Sequence, residues 1–184
     1  AVIDVGDALI CDVAVEAECD FVKFQIFRAK ELVAKDHPKY DNYHVKEYSE
    51  EQWVSVSDYC EKKNINVIAE VFDHQSFLIT QKMKISGYKV HSTTISDLQL
   101  LIEIANENKT IYLSAGGSTK DEIYKGLKMI NENGMCDVIL MHGFQNFPTA
   151  LENIHLNKID SLKKEFLLPV GIQEHVDGAD LMSF

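Results

Sequence analysis

The stretch TIYLSAGGSTKDEIYKGLKMI, residues 110–130, contains one complete strand–turn–helix unit. It begins with an apolar run, Thr110–Ser114, of the kind found in buried strands. After a glycine-containing turn, Ile123, Leu127 and Ile130 recur at the spacing of one helical face. The stretch therefore predicts a β-strand that is followed directly by an amphipathic helix.

The same pattern recurs along the chain, where short apolar runs alternate with stretches of helical period. This alternation predicts a parallel sheet that is covered by helices. The runs are nearly continuous, as expected for strands that are buried on both faces. The six predicted strands are Asp20–Gln25, Asn66–Val71, Tyr88–His91, Thr110–Ser114, Asp137–Met141 and Pro169–Ile172.

Two architectures have this organisation, an open doubly wound sheet and a TIM (β/α)₈ barrel. The first predicted strand is not followed by the glycine-rich motif G-x-G-x-x-G, which disfavours the dinucleotide-binding form of the open sheet. No linker or low-complexity stretch interrupts the pattern. Residues 1–184 are therefore predicted to form one domain.

Composition restricts the classes of function. The 184 residues are 46% hydrophobic and carry a formal net charge of −11. Nucleic acid is disfavoured as a partner because it requires a basic surface, whereas a few lysines in a cleft suffice for a small anion. No apolar run reaches about 18 residues, so no membrane span is expected. Without a signal-peptide pattern or a metal-ligand spacing of cysteines, the chain is expected to be cytoplasmic.

Two lysines, Lys23 and Lys89, lie within the strand-like runs, and ligands of parallel α/β proteins bind at the carboxyl ends of such strands. A buried lysine is unfavourable unless it is paired. Two interpretations therefore stay open. Either both lysines face a bound anion, or each pairs with a neighbouring carboxylate such as Glu70.

Other polar groups follow the predicted strands. Those suited to phosphate oxygens are the hydroxyls and amides of Ser92, Ser114, Gly116 and Gly117. His142 and His175 are candidate metal ligands or acid–base groups. His91 is expected to alternate outward from the barrel.

Several stretches match a known family in order and spacing along essentially the whole chain. They are FVKFQ (residues 21–25), AKELV (29–33), GYKV (87–90), YLSAG (112–116), LMHGFQNFPT (140–149) and PVGIQEH (169–175). Together they resemble the sialic acid (N-acetylneuraminate) synthase family. The family's fold is a TIM barrel, so the resemblance favours the barrel over the open sheet.

The resemblance implies an activity and roles for individual residues. The family condenses phosphoenolpyruvate with an N-acylated amino sugar of the N-acetylmannosamine type and releases phosphate, using Mn²⁺ or Mg²⁺. The residues that match phosphoenolpyruvate ligands are Lys23, Lys89, Ser92 and Ser114. Gln25 would contact the sugar, and His175 matches the first metal-binding histidine. Gln145 and Phe147 stand where the family has asparagine and tyrosine near the substrate.

The chain also departs from the family pattern. Glu70 replaces a threonine that contacts phosphate, and its carboxylate would repel phosphate unless it pairs with a lysine. Gln173 and Glu174 replace the serine and aspartate of the motif that ends in His175, and Thr94 replaces a glutamate. These changes indicate a divergent branch of the family.

The number of strands predicts an incomplete barrel. Six strands are predicted where a TIM barrel has eight, and the stretches that would match the family's first and eighth strands are missing. Those strands carry a glutamate near the sugar and the second metal histidine. The chain is therefore expected to be a partial TIM barrel. A homodimer is possible, because family members commonly pair.

Two alternatives to a synthase remain open. The first is a non-catalytic binding or scaffold barrel derived from the family, which Glu70 and Gln173 favour. The second is an aldolase that forms a Schiff base through Lys89, which the resemblance disfavours because it implies metal chemistry.

Overall fold

The computed structural model describes residues 5–144, 146, 148–173 and 175. The strands are β1 (Phe21–Ile26), β2 (Asn66–Val71), β3 (Gly87–Val90), β4 (Thr110–Ser114), β5 (Val138–His142) and β6 (Val170–Ile172). The helices are α1 (Val5–Glu16), α2 (Ala29–Leu32), α3 (Tyr40–His44), α4 (Glu50–Lys62), α5 (His74–Thr80), α6 (Leu98–Asn106), α7 (Lys120–Asn133) and α8 (Asn157–Phe166), with a short 3₁₀ helix at Leu151–Asn153.

The six strands form one parallel sheet in the order β1-β2-β3-β4-β5-β6, so each strand lies beside the next one in the chain. This sequential order is that of neighbouring strands in a TIM barrel, whereas the order reverses in a doubly wound sheet. All six predicted strands are confirmed, and their ends differ from the prediction by at most one residue.

The two faces of the sheet differ in character. In β1 the exposed and buried side chains alternate, with Val22, Phe24 and Ile26 buried towards the helices. Phe24, for example, contacts Trp53 of α4 with 5.9 Å between ring centroids. The prediction of strands buried equally on both faces is thus wrong for β1, whose other face carries Lys23 and Gln25.

Side-chain caps start the two longest helices of the described residues, α4 and α7. Ser49 and Gln52 form a capping box at the start of α4, and Thr119 and Glu122 form another at the start of α7. These caps fix the residues at which the two helices begin. Within the described residues, no helix is both long and apolar enough to cross a membrane.

Candidate active site

The carboxylate of Glu70 lies at the centre of a polar cluster on the face of the sheet opposite the helices, here called the open face. It accepts hydrogen bonds from Lys23 of β1 and from Gln25 Nε2 at 3.0 Å, and Lys89 Nζ of β3 donates to its other oxygen at 3.0 Å. Glu70 is only 1% exposed. The structure therefore shows the arrangement in which both lysines pair with the carboxylate.

The register of the sheet explains this convergence. Gln25 lies opposite Glu70 in the β1–β2 pair, and Glu70 lies opposite Lys89 in the β2–β3 pair. Side chains at matching positions of neighbouring parallel strands point to the same face. Lys23 is two residues before Gln25 in β1, so it shares that face as well.

A chain of hydrogen bonds extends the cluster across the sheet. Lys89 Nζ donates to Ser114 Oγ at 2.9 Å, and Ser114 Oγ donates to Gln173 Oε1 at 3.0 Å. Ser114 is fully buried at the end of β4. Gln173, just beyond β6, thus reaches back across the sheet to the residues on β3 and β4.

Burial and charge act in opposite directions on the groups of this cluster. Burial alone would raise the pKa of Glu70, but the ammonium groups of Lys89 and Lys23 outweigh it and lower the pKa to about 2. Burial lowers the pKa of Lys89, and the attraction of Glu70 opposes that change only in part. Glu70 is therefore ionised across the physiological pH range.

The cluster borders a cavity of about 260 Å³. The cavity is lined by Lys23, Gln25, Glu70, Lys89, His91, Gln173 and His175. Its volume suits a small molecule. Among these described residues, two lysines and one glutamate leave a net charge of one positive unit when both histidines are neutral.

The expectation that His91 points outward is wrong, because its side chain lines the cavity. Its Nδ1 accepts a hydrogen bond from the amide of Thr93 at 3.2 Å and lies 2.8 Å from the Thr93 hydroxyl. Burial lowers the pKa of His91; the carboxylate of Glu70 opposes this change, whereas the ammonium groups of Lys89 and Lys23 reinforce it. The neutral ring therefore carries its proton on Nε2.

A larger cavity of about 580 Å³ adjoins the first and shares Gln25 and His91 with it. Its walls combine aromatic, hydroxyl and carboxylate groups: Phe27, Glu31, Leu32, Tyr43, Phe72, Thr93, Thr94 and Asp97 complete the lining. The chain between β1 and α4 supplies several of these side chains. The sequence offered no specific signal for Tyr43, which lies in the short helix α3.

Two groups of candidates lie elsewhere. His142 is buried, and its Nε2 lies 2.7 Å from the carbonyl oxygen of Ile154, so it does not face the lysines. Gly116 and Gly117 line a separate cavity of about 360 Å³ together with residues of α7 and α8. The structure therefore does not bring His142, Gly116 or Gly117 to the cavity that Lys23 and Lys89 line.

The remaining candidates have mixed outcomes. Ser92 is half-buried just beyond β3 and is not among the residues that line the 260 Å³ cavity. His175 is exposed and lines that cavity. Gln145, Phe147 and Glu174 lie outside the described residues.

The described residues do not complete the divalent-metal site that the resemblance implies. No group of three histidine, cysteine, aspartate or glutamate side chains is placed to hold a metal in that part of the chain. His175 and His91 share the cavity, but Mn²⁺ and Mg²⁺ prefer sites that are rich in oxygen ligands. Two imidazoles do not make such a site.

The sequential parallel sheet and the polar cavity on its open face define an α/β protein of the TIM-barrel type. The model of the NeuB family matches residues 10–183. The chain belongs to the NeuB family.

Individual relatives agree with this assignment. The chain is 32% identical over 176 residues to an uncharacterized protein of Methanocaldococcus jannaschii, covering 96% of this chain and 52% of the relative. It is 29% identical over 185 residues to the N,N'-diacetyllegionaminic acid synthase of Campylobacter jejuni, covering 92% and 55% of the two chains. The chain thus spans about half the length of the curated relatives it matches.

A solved structure supports the fold. The N-acetylneuraminic acid synthetase of Leptospira borgpetersenii superimposes with a TM-score of 0.87 at 22% identity, covering 95% of this chain and 61% of that one. At this level of identity, the similarity shows the fold alone. It confirms the prediction of a TIM-barrel type of sheet and excludes the open doubly wound alternative.

Proposed function

We propose that this chain forms the phosphoenolpyruvate-binding part of a synthase that makes sialic-acid-like nonulosonates. In this reaction, C3 of phosphoenolpyruvate bonds to the aldehyde carbon of an N-acylated amino sugar of the N-acetylmannosamine type. Water then adds at C2, and phosphate leaves with cleavage of its C–O bond. Membership of the NeuB family supports the class of reaction.

The observation that carries the proposal is the convergence of Lys23 and Lys89 on one cavity. Two ammonium groups from separate strands at the carboxyl end of a parallel sheet suit a ligand with several negative charges. Lys89 would bind one anionic group of phosphoenolpyruvate, and Ser114 would keep the ammonium group oriented. Lys23 would bind the second anionic group.

The adjoining 580 Å³ cavity is the proposed site of the amino sugar. Gln25 lines both cavities, so its amide would contact the sugar beside phosphoenolpyruvate. Ser92, Gln145 and Phe147 keep their proposed substrate contacts from the family resemblance alone. His175 is proposed as one ligand of Mn²⁺ or Mg²⁺, but no step is assigned to the metal, because the described donors do not complete its site.

Further features belong to the same proposal. Residues 1–184 would form a single partial barrel domain. This domain would act in the cytoplasm and could pair as a homodimer. A non-catalytic binding barrel is the second candidate, favoured by the internal pairing of both lysines with Glu70. Phosphate release from phosphoenolpyruvate in the presence of the amino sugar and Mn²⁺ would exclude the binding barrel, because only a synthase produces it.

Isothermal titration with phosphoenolpyruvate tests the proposed ligand. The wild-type chain should release binding heat that Lys89→Ala loses, after circular dichroism has shown that the variant is folded. Lys23→Met provides a second variant at a more exposed position. Lys82→Ala is the matched control, because Lys82 is an exposed lysine paired with Glu50 away from the cavity. Equal heats for wild type and Lys89→Ala would contradict the proposal.

A further inference from the structure

Lys23, Gln25, Lys89 and Ser114 each donate a hydrogen bond to an acceptor within the chain. One oxygen of Glu70 accepts from Lys23 and Gln25, and the other accepts from Lys89. The hydroxyl of Ser114 accepts from Lys89 and donates to Gln173. An incoming anion therefore meets hydrogen-bond donors that already have an internal acceptor.

The charge of Glu70 also opposes the binding of an anion in this cavity. Glu70 is buried between the two lysines, and its carboxylate neutralises one of their two positive charges. Lys23 and Lys89 both line the cavity, so a ligand there lies close to Glu70 as well. The repulsion between this carboxylate and a bound anion grows with the charge of the anion, and a dianion is repelled about twice as strongly as a monoanion at the same place.

We propose that Glu70 is a specificity-determining residue. Its carboxylate lies between Lys23 and Lys89 and weakens the binding of dianions more than that of monoanions. The proposal rests on the proposed function, because it takes this cavity as the anion site. It assigns Glu70 a role in ligand selection in addition to its role in pairing the lysines.

A purely structural role for Glu70 predicts a different result. If the cluster were closed to solutes, removing the carboxylate would destabilise the fold without creating a site for anions. The side chain of Lys23 is 38% exposed, however, so solvent and solutes reach the cluster from the cavity. An external anion in the cavity can therefore pair with the lysine charge that Glu70→Gln no longer neutralises.

Titration of the full chain with inorganic phosphate and with acetate, at pH 8 and constant ionic strength, tests the proposal. In Glu70→Gln the dissociation constant of phosphate should fall by at least about tenfold, and that of acetate should fall by a smaller factor. Unchanged or weaker phosphate binding in Glu70→Gln would overturn the proposal. So would equal gains for the two anions.

Glu165→Gln is the matched control, since Glu165 pairs with Lys120 on the helical side of the molecule. Its phosphate affinity should equal that of the wild type. If Glu70→Gln is folded but too unstable for titration, its thermal midpoint is measured in phosphate and in chloride at equal ionic strength. Phosphate should raise the midpoint of Glu70→Gln more than that of the wild type, and an equal rise in both would overturn the proposal.

The two proposals fail in different ways. Equal heats of phosphoenolpyruvate binding in wild type and Lys89→Ala contradict the anion site itself. Loss of that heat in Lys89→Ala, combined with unchanged phosphate affinity in Glu70→Gln, contradicts only the selective role of Glu70.

Discussion

Lys89 Nζ lies 3.0 Å from Glu70 Oε1, and the two residues are direct partners in the register of the parallel strands β2 and β3. Their side chains are 12% and 2% exposed, so the ion pair is almost completely removed from water. The pair thus depends on the sheet for its geometry, and both the stability of the fold and the charge of the cavity depend on the pair.

The first prediction concerns acid stability. The pKa of Glu70 is lowered from its ordinary value of 4.5 to about 2, so its ionisation stabilises the folded state fully above about pH 4.5. This contribution is lost as the pH falls towards 2. The difference in free energy of unfolding between wild type and Glu70→Gln, measured by urea denaturation, should therefore shrink between pH 5 and pH 2. A difference that stays constant over this range would show that the ionisation of Glu70 does not stabilise the fold.

The second prediction concerns the buried partner of Glu70. Lys89→Met should lower the free energy of unfolding by about 3 kcal/mol, because it removes one member of a buried ion pair. The control Lys82→Met breaks an exposed pair with Glu50 and should change stability by less than about 1 kcal/mol. Urea denaturation at pH 7 measures both changes. Equal effects of the two substitutions would mean that burial does not increase the contribution of the ion pair to stability.

The third prediction concerns a close approach at the ends of β5 and β6. A Cβ added at Gly143 would overlap the carbonyl oxygen of Gln173. Gly143→Ala should therefore displace Gln173 and lower the free energy of unfolding by about 2 kcal/mol or more.

Gly126→Ala provides the control for this prediction. Its added Cβ would meet side-chain atoms of Ile95 and Leu101 at 3.3 and 3.5 Å, which can adjust, and alanine also favours the helix. The thermal midpoint should fall clearly only in Gly143→Ala. Similar midpoints for the two variants would show that the strand ends tolerate a wider separation.

The fourth prediction concerns the start of α7. Thr119 accepts a hydrogen bond from the backbone amide of Glu122 as part of the capping box. Thr119→Ala should lower the free energy of unfolding by about 1 kcal/mol. Ser161→Ala removes an exposed hydroxyl within α8 and should change it by less than about 0.5 kcal/mol. A Thr119→Ala variant as stable as Ser161→Ala would contradict the role of the cap.

Much of the fold follows from local sequence patterns. Each strand was predicted to within one residue because a buried parallel strand is a short apolar run with polar ends. The capping residues Ser49 and Thr119 mark helix starts by side-chain chemistry that the sequence displays directly. The short helices α2 and α3 carried no such signal, because tertiary contacts such as the hydrogen bond from Arg28 to the Tyr48 carbonyl arrange that segment.

The position of a site residue was predictable only where strand geometry determines the direction of its side chain. Lys23, Glu70 and Lys89 lie within strands, so the parity of each position and the register bring them to one face. His91 lies one residue beyond β3, where strand parity no longer fixes the direction of the side chain. His142 is the last residue of β5, directly after the half-exposed Met141, and its parity turns it towards the helices.

A crystal structure of the chain with bound phosphoenolpyruvate would show whether Lys23 and Lys89 form the anion site. The ligand should occupy the 260 Å³ cavity, with anionic oxygens about 3 Å from the Nζ atoms of both Lys23 and Lys89. Phosphoenolpyruvate bound instead in the cavity beside Gly116 and Gly117, or absent from the lysine cavity at saturating concentration, would contradict it.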